Sequence, residues 1–141
     1  MVVFTNGCFD ILHIGHIKIL EECSKLGSKV IVGLNSDESV NRLKGSNRPI
    51  IPQSQRKKVL EAIRFVDEVI IFEEDSPYEL IKKIKPDILV KGGDYKDKKI
   101  RSAELVEKVV IVPSCYQVFS INYGEVISTS KIIRKIKYGY K

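Results

Sequence analysis

Apolar and polar residues along the chain alternate between two spacings, one typical of strands and the other typical of helices. The apolar run Val2 to Phe4 stops at the turn-forming pair Asn6-Gly7, which favours a short buried strand. From His16 to Leu26 the apolar residues recur on one helical face, and Gly27 supplies a C-terminal stop. The β-branched run Lys29 to Leu34 is again typical of a strand, so the chain opens with a predicted βαβ unit.

The same alternation continues as far as Val112. It predicts helices over Glu38–Leu43, from Pro52 onward, over Pro77–Ile84 and over Ser102–Lys108, with strands over Glu68–Phe72, Ile88–Val90 and Val109–Val112. On the helix that begins at Pro52, we expect a buried face made of Val59, Leu60, Ile63 and Val66. Strict alternation implies an α/β fold, a single Rossmann-like domain over residues 1–141, with a parallel sheet of about five strands and helices on both faces.

The C-terminal part of the chain has a different pattern. Tyr116 to Tyr123 shows no clear period and is compatible with a loop or an edge strand. Ser128-Thr129-Ser130 then precedes isoleucines at helical spacing. Because serine and threonine are preferred at helix starts, these three residues are expected to cap a final helix.

Composition narrows the class of protein. With 43% hydrophobic and 30% charged residues the chain is typical of a globular domain, and no apolar run approaches the ~18 residues of a membrane helix. The N-terminus has no pattern of a secretory signal, so we expect a cytoplasmic protein with no membrane partner. The three cysteines match neither a disulfide framework nor a structural zinc site.

The net charge of +6, from 24 Lys and Arg against 18 Asp and Glu, is compatible with a polyanionic partner. Five of these cations follow Val126 and no acid accompanies them: Lys131, Arg134, Lys135, Lys137 and Lys141. The rest of the chain carries 19 cations against 18 acids. A nearly neutral body argues against a nucleic-acid partner and favours a small anion close to the last helix.

The loop after the first strand holds both histidines of the chain, as His13-Ile14-Gly15-His16 at the start of a helix. In an open parallel sheet, ligands bind beyond the carboxyl ends of the strands. A helix N-terminus there presents free N–H groups and positive partial charge, which suits a phosphate, and imidazoles donate hydrogen bonds to phosphoryl oxygens as charge builds up. A capped helix with two surface histidines is the structural alternative.

Three further segments lie at the same predicted edge of the sheet. Lys91-Gly92-Gly93-Asp94 follows the fourth strand, Lys44 and Arg48 lie in a basic loop after the second, and Ser128-Thr129-Ser130 precedes the last helix. Glycines allow close approach of a ligand, cations bind phosphate, and a second helix start offers a second phosphate cradle. A tight turn, a solvated loop and a plain N-cap are the respective structural alternatives.

Several common site motifs are absent from the sequence. Neither the G-x-x-x-x-G-K-[ST] phosphate loop nor the G-x-G-x-x-G dinucleotide fingerprint occurs. Nothing marks Cys8 as a nucleophile, although a histidine follows five residues later. A site without a covalent nucleophile suits phosphoryl or nucleotidyl transfer, in which the protein mainly positions the reactants and neutralises charge.

The chain resembles a known superfamily at three motifs. Thr5-Asn6-Gly7-Cys8-Phe9-Asp10, His13-Ile14-Gly15-His16 and Ile127-Ser128-Thr129-Ser130 are similar to those of the H-x-G-H nucleotidyltransferases of cytidylyltransferase type. Within that superfamily, Leu43-Lys44-Gly45, Phe72 to Pro77 and Pro86 to Tyr95 most resemble the D-glycero-β-D-manno-heptose 1-phosphate adenylyltransferases, which also occur as one domain of a bifunctional heptose kinase/adenylyltransferase.

The resemblance implies a reaction and its reactants. A sugar 1-phosphate oxygen would attack the α-phosphorus of ATP, giving ADP-heptose and pyrophosphate with Mg²⁺ as the divalent cation. A separate sugar kinase is expected to supply the sugar 1-phosphate. The superfamily commonly forms homodimers, which makes a homodimer an expectation here.

The resemblance also implies roles for individual residues. His13, His16 and Lys44 would be catalytic. The nucleotide would be bound by Thr5, Asn6, Gly7, Cys8, Phe9, His13, Gly15, His16, Lys91, Gly92, Gly93, Asp94, Ile127, Ser128, Thr129 and Ser130. Asp10, Lys44 and Arg48 would contact the substrate, and no metal ligand is assigned.

Two alternative functions stay open at this point. One is a cytidylyltransferase that acts on glycerol 3-phosphate or a related alcohol phosphate. The other is a module that binds nucleotide without catalysis, because a fold alone does not fix a function.

Overall fold

The computed structural model describes residues 1–93, 100–112 and 127–139. Within these ranges five strands alternate with helices along the chain. The strands are β1 (Val2–Gly7), β2 (Lys29–Asn35), β3 (Glu68–Phe72), β4 (Ile88–Gly92) and β5 (Lys108–Val112). The α-helices are α1 (Ile14–Leu26), α2 (Asp37–Lys44), α3 (Gln53–Glu61), α4 (Tyr78–Ile84) and α5 (Thr129–Tyr138), with a 3-10 helix at Arg101–Leu105.

The sheet is parallel throughout and has the order β3-β2-β1-β4-β5. β2 and β3 extend the sheet on one side of β1. The chain then crosses to the other side of β1, where it forms β4 and, at the edge, β5. The connections therefore diverge between β1 and β4, and the crevice at the carboxyl ends of these two strands is where such sheets bind ligands. The predicted fold is confirmed in class, in strand number and in parallel pairing.

Neighbouring residues of each strand contribute to different core clusters. Val3 packs in one cluster with Leu20 of α1 and Leu60 of α3, whereas Phe4 packs in the other with Ile81 of α4. Successive side chains of a strand point to opposite faces, so helices cover the sheet on both sides. This double cover explains why the strands are continuous apolar runs.

Two predicted helices differ from the observed ones. The helix predicted over Ser102–Lys108 is a 3-10 helix, and it ends at Leu105, before β5 begins. Helix α3 ends at Glu61, and Val59 is 47% exposed rather than buried. The structural reason is that Ile63 and Val66 reach the core from the turn after the helix, so the helical face there is narrower than predicted.

Some predictions fall on residues that the structure does not describe. These are the role of Asp94 and the loop or edge strand over Tyr116–Tyr123. They stay predictions. Among the described helices, none is both long enough and apolar enough to cross a membrane.

Candidate active site

A cavity of about 540 Å³ lies at the carboxyl ends of β1 and β4. It is bounded by the loop after β1, the end of α2 with the segment that follows it, the end of β4 and the start of α5. Its lining residues are Thr5, Asn6, Gly7, Cys8, Phe9, Asp10, His13, His16, Ile19, Asn35, Leu43, Lys44, Arg48, Asp75, Lys91, Gly92, Ser128, Thr129 and Ser130. Most of the residues proposed from the sequence therefore meet in one place.

The two histidines form a stacked pair at the start of α1. His13 is the N-cap, and its Nδ1 accepts a hydrogen bond from the amide of Gly15 at 3.1 Å. Nδ1 of His16 accepts from the amide of His13 at 3.3 Å, and the ring centroids are 3.9 Å apart. A side chain at position 15 would place its Cβ 2.8 Å from Cε1 of His13, so the stacked arrangement requires glycine there.

These hydrogen bonds fix the proton on each imidazole. Because both Nδ1 atoms accept from backbone amides, a neutral ring must carry its hydrogen on Nε2. Burial lowers the pKa of His16 to about 3, with a further contribution from His13, and burial also lowers the pKa of His13. Near neutral pH the pair therefore offers two uncharged Nε2–H donors at a helix N-terminus.

The loop that carries the pair turns sharply after β1. Phe9 and Ile11 both adopt left-handed backbone conformations, with φ of 47° and 57°. Such conformations are strained for large side chains and persist where surrounding contacts hold them. Here the buried Phe9 ring packs 5.2 Å from the ring of His16, and Gly7 leaves the space that this ring occupies.

The start of α5 joins this loop directly. The Thr129 hydroxyl donates to the carbonyl oxygen of Asp10 at 2.6 Å, and the Ser128 hydroxyl caps the helix by accepting from the amide of Lys131 at 3.1 Å. The carbonyl of Ile127 lies 3.8 Å from the position that a Cβ of Gly15 would occupy. Two helix N-termini thus meet beside the histidines, which is a favourable arrangement for a polyphosphate.

Asp10 anchors the segment that follows α2. Its carboxylate accepts from Arg48 Nε at 2.8 Å and from the amides of Ile50 and Ile51 at 2.8 and 3.0 Å. Burial by itself raises the pKa of Asp10, but the Ile50 amide, the Arg48 side chain and the Ile51 amide lower the pKa below its usual value. The carboxylate predicted to contact substrate is thus engaged within the protein and holds Arg48 beside the cavity.

Arg56 connects several of the segments that surround the cavity. Its side chain is buried and donates to the carbonyl oxygens of Ile51, Cys8 and Asn35 at 2.7 to 2.9 Å, and to the Asp37 carboxylate at 2.8 Å. One guanidinium therefore fixes the loop after β1, the end of β2 and the start of α2 relative to one another.

The floor of the cavity is formed by β1 and β4. The Thr5 hydroxyl donates to the carbonyl of Val90 at 2.9 Å, and Lys91 Nζ donates to Oδ1 of Asn6. Burial lowers the pKa of Lys91 to about 8. A Cβ at Gly92 would lie 2.4 Å from the terminal methyl group of Ile19, so a larger residue there would require the Ile19 side chain to move.

Cys8 lies in the lining but lacks the character of a nucleophile. Burial raises the pKa of its thiol, even though Lys44, Arg56 and Arg48 act in the opposite direction. Since the thiolate is the reactive form, a thiol whose pKa is raised is a poor nucleophile at neutral pH.

Residues that could hold a metal ion are scarce in the described ranges. No group of three or more His, Cys, Asp or Glu side chains there is arranged around a common point. Both carboxylates that line the cavity are paired with arginines, Asp10 with Arg48 and Asp75 with Arg42. Mg²⁺ commonly keeps water and substrate phosphates as ligands, so a protein-built cage is not required for it.

Comparison with known proteins identifies the family of this fold and site. The model of the cytidylyltransferase-like family matches residues 4–135. The chain belongs to the cytidylyltransferase-like family. This membership confirms the predicted superfamily, and the matched range includes the H-x-G-H loop and the start of α5.

Relatives of this chain include longer proteins. The chain is 56% identical over 136 residues, 96% of its length, to bifunctional protein HldE of Campylobacter jejuni, and 48% identical over 136 residues to HldE of Wolinella succinogenes. It spans 28% and 27% of the lengths of these two relatives.

Solved structures show the same fold. The lipopolysaccharide core biosynthesis protein of Thermoplasma volcanium has a TM-score of 0.65 and 31% identity, covering 79% of this chain and 95% of that one. A pantothenate synthetase of Thermus thermophilus, with a TM-score of 0.61 and 14% identity over 93% of this chain and 60% of that one, shows the fold alone.

The sequence-based site agrees with the cavity except at a few residues. Gly15, Gly93 and Ile127 are not in its lining, and Asp94 lies outside the described residues. The lining adds four residues that were not proposed, Ile19, Asn35, Leu43 and Asp75. The anchoring role of Arg56 was also missed, although Arg56 lies four positions before the buried Leu60 on the inner face of α3.

Proposed function

We propose that this domain transfers AMP from ATP to a sugar 1-phosphate, D-glycero-β-D-manno-heptose 1-phosphate, and forms ADP-heptose and pyrophosphate. The observation that carries the proposal is the pair of neutral Nε2–H donors between two helix N-termini, in a cavity at the switch between β1 and β4. The high identity to HldE over nearly the whole chain supports the choice of nucleotide and acceptor.

In this reaction an oxygen of the acceptor phosphate attacks the α-phosphorus of ATP. A new phosphorus–oxygen bond forms, the bond from the α-phosphorus to the α,β-bridging oxygen breaks, and pyrophosphate leaves with the electron pair. Negative charge increases on the phosphoryl oxygens in the transition state. The Nε2–H groups of His13 and His16 stabilise that charge without having to lose a proton, as preorganised donors do.

The remaining residues of the cavity bind and orient the two reactants. The positive ends of the α1 and α5 helix dipoles attract the triphosphate, and Lys44 and Arg48 neutralise the anions from the α2 side. Asp10 keeps Arg48 and the segment up to Ile51 in place. Mg²⁺ would be held by the triphosphate and water, and would offset phosphate charge there.

A panel of nucleotides and acceptors tests the proposal. The protein is mixed with each NTP, Mg²⁺ and a set of sugar 1-phosphates and polyol phosphates, and pyrophosphate is measured. We expect release from ATP only when the heptose 1-phosphate is present. Turnover with CTP and glycerol 3-phosphate would replace this proposal with the cytidylyltransferase alternative. Tight nucleotide binding without turnover on any acceptor would favour the non-catalytic module.

Three further expectations stay predictions. A kinase reaction has to supply the sugar 1-phosphate. A homodimer and a cytoplasmic location were expected as well. Sedimentation analysis of the purified chain tests the dimer.

A further inference from the structure

The contact between Lys91 and Asn6 joins the two strands that flank the switch point. Asn6 lies near the end of β1 and Lys91 near the end of β4, and both line the cavity. Lys91 Nζ donates to the amide oxygen Oδ1 of Asn6. An ammonium group has only donors, so it accepts no hydrogen bond and must face the oxygen end of the amide rather than the nitrogen end.

The nitrogen end of the same amide is left free. Within the described part of the chain, the side chain of Asn6 has one hydrogen bond, which its Oδ1 accepts from Lys91. Its Nδ2 has no hydrogen-bond partner there. No buried side-chain nitrogen or oxygen of the described residues lacks a partner. Nδ2 is therefore not fully buried, and it belongs to a side chain that lines the cavity.

The state of Lys91 fits such an orienting role. Burial lowers the pKa of Lys91 to about 8, so at pH 7 most of the side chain is still an ammonium. A buried cation is costly without an acceptor, and Oδ1 of Asn6 is the acceptor that the described structure provides. The contact holds the amide in one of its two orientations.

We propose that Asn6 donates a hydrogen bond from Nδ2 to an α-phosphate oxygen of the nucleotide, and that Lys91 is a positioning residue that acts through Asn6 by fixing its amide. The inference rests on the proposed function and deepens it. It changes the role expected for Lys91 from direct contact with the nucleotide to support of the neighbouring strand. It also adds an uncharged donor to the two imidazoles.

A double-mutant cycle tests this division of roles. The four proteins are wild type, Asn6→Ala, Lys91→Met and the double variant, and both kcat/KM for ATP and Kd for ATP by calorimetry are measured. Asn6→Ala is expected to lower kcat/KM by ~10²-fold, as for loss of one preorganised donor. Lys91→Met is expected to lower it by at least ~10-fold.

The decisive result is the double variant. If Lys91 acts through Asn6, the double variant is no worse than Asn6→Ala, within about 2-fold. If instead kcat/KM of the double variant falls by the product of the two single decreases, Lys91 contacts the nucleotide independently. That result would overturn the inference. Lys91→Arg retains a charged donor for Oδ1 and should restore activity to within ~5-fold of wild type. Failure of this rescue, with the fold intact, would also contradict it.

Two controls separate the inference from other failures. Lys58→Met removes an exposed lysine of α3 and should change neither quantity, while thermal unfolding of every variant excludes loss of structure. If wild type turns over no acceptor, the proposed function fails. The four proteins are then compared by their Kd for ATP alone. Asn6→Ala should weaken ATP binding ~10-fold, and adding Lys91→Met to Asn6→Ala should weaken it no further.

Discussion

At the scale of single residues, the site depends on where each hydrogen atom is held. His13 and His16 use their Nδ1 atoms for backbone amides, so the helix start itself determines that Nε2 is the donor. The same logic applies to Asn6, whose oxygen is taken by Lys91. Side chains that look like independent ligands in the sequence are thus oriented by their neighbours.

A pair of His16 substitutions separates the two functions of this imidazole. His16→Asn keeps an acceptor near the position of Nδ1 but removes the Nε2–H donor, and kcat should fall by ~10²-fold to 10³-fold. His16→Gln keeps a donor near the position of Nε2 and should retain more activity than His16→Asn. Pyrophosphate release measures both, with thermal unfolding as the control. Equal activity of His16→Asn and wild type would exclude His16 from the chemistry.

The histidine protonation state is also directly testable, because the chain has only two histidines. Burial lowers the pKa of His16 to about 3 and lowers the pKa of His13. In an NMR titration both imidazoles should therefore titrate below pH 6.5, His16 far below. Because the pKa of His16 is lower in the folded than in the unfolded protein, the neutral buried imidazole makes its full contribution to folding stability above pH 6.5. That contribution is lost as the pH falls from 6.5 toward 3. An imidazole that titrates above pH 6.5 would contradict the buried pair.

At the scale of elements, the cavity is assembled by anchors that are remote from one another in sequence. Asp10 holds the segment after α2, Thr129 holds the start of α5 to the loop after β1, and Arg56 joins that loop to β2 and α2. Each anchor pairs a side chain with backbone groups of another segment. The relative placement of the helix starts therefore depends on a few polar contacts rather than on apolar packing alone.

Arg56 is the anchor whose loss should cost most stability. Arg56→Met keeps an apolar stem but leaves carbonyl oxygens of three segments without their donor, at about 1–3 kcal/mol for each buried group. We expect a large decrease in the free energy of unfolding in urea, together with weaker ATP binding. Lys58→Met, on the exposed face of the same helix, is the matched control and should change neither. Unchanged stability of Arg56→Met would show that these contacts are dispensable.

At the scale of the whole molecule, the excess positive charge is concentrated in one part of the chain rather than spread over it. The excess cations of the sequence are concentrated after Val126, and α5, which carries four of them, starts at the cavity. The cavity adds Lys44, Arg48 and Lys91. The molecule thus combines a nearly neutral body with a local cationic site.

A thermal shift experiment distinguishes these partners. ATP at 100 times its Kd should stabilise the folded protein by about 2.7 kcal/mol through mass action, which raises the unfolding temperature. A duplex oligonucleotide at 150 mM salt, at the same phosphate concentration, should produce no shift. A larger increase in unfolding temperature with the duplex than with ATP would indicate that the protein binds nucleic acid.

The sequence by itself determined the elements that depend on local patterns. The alternation of apolar runs and helical faces is enough to predict the parallel sheet, because burial on both faces forces continuous apolar strands. The H-x-G-H and I-S-T-S motifs also located both helix starts, since capping chemistry is local. The departures at Leu105 and Val59 occur where tertiary packing, not periodicity, sets the end and the buried face of a helix.

Only the tertiary structure decided which residues act on one another. Arg56 resembles an ordinary helical cation in sequence, and Asp10 and Lys91 resemble direct ligands, yet each is held by groups 38 to 85 positions away. Such pairings arise when parallel strands bring their carboxyl ends to one edge. No local pattern encodes them, because the energy of a buried polar group depends on which distant partner satisfies it.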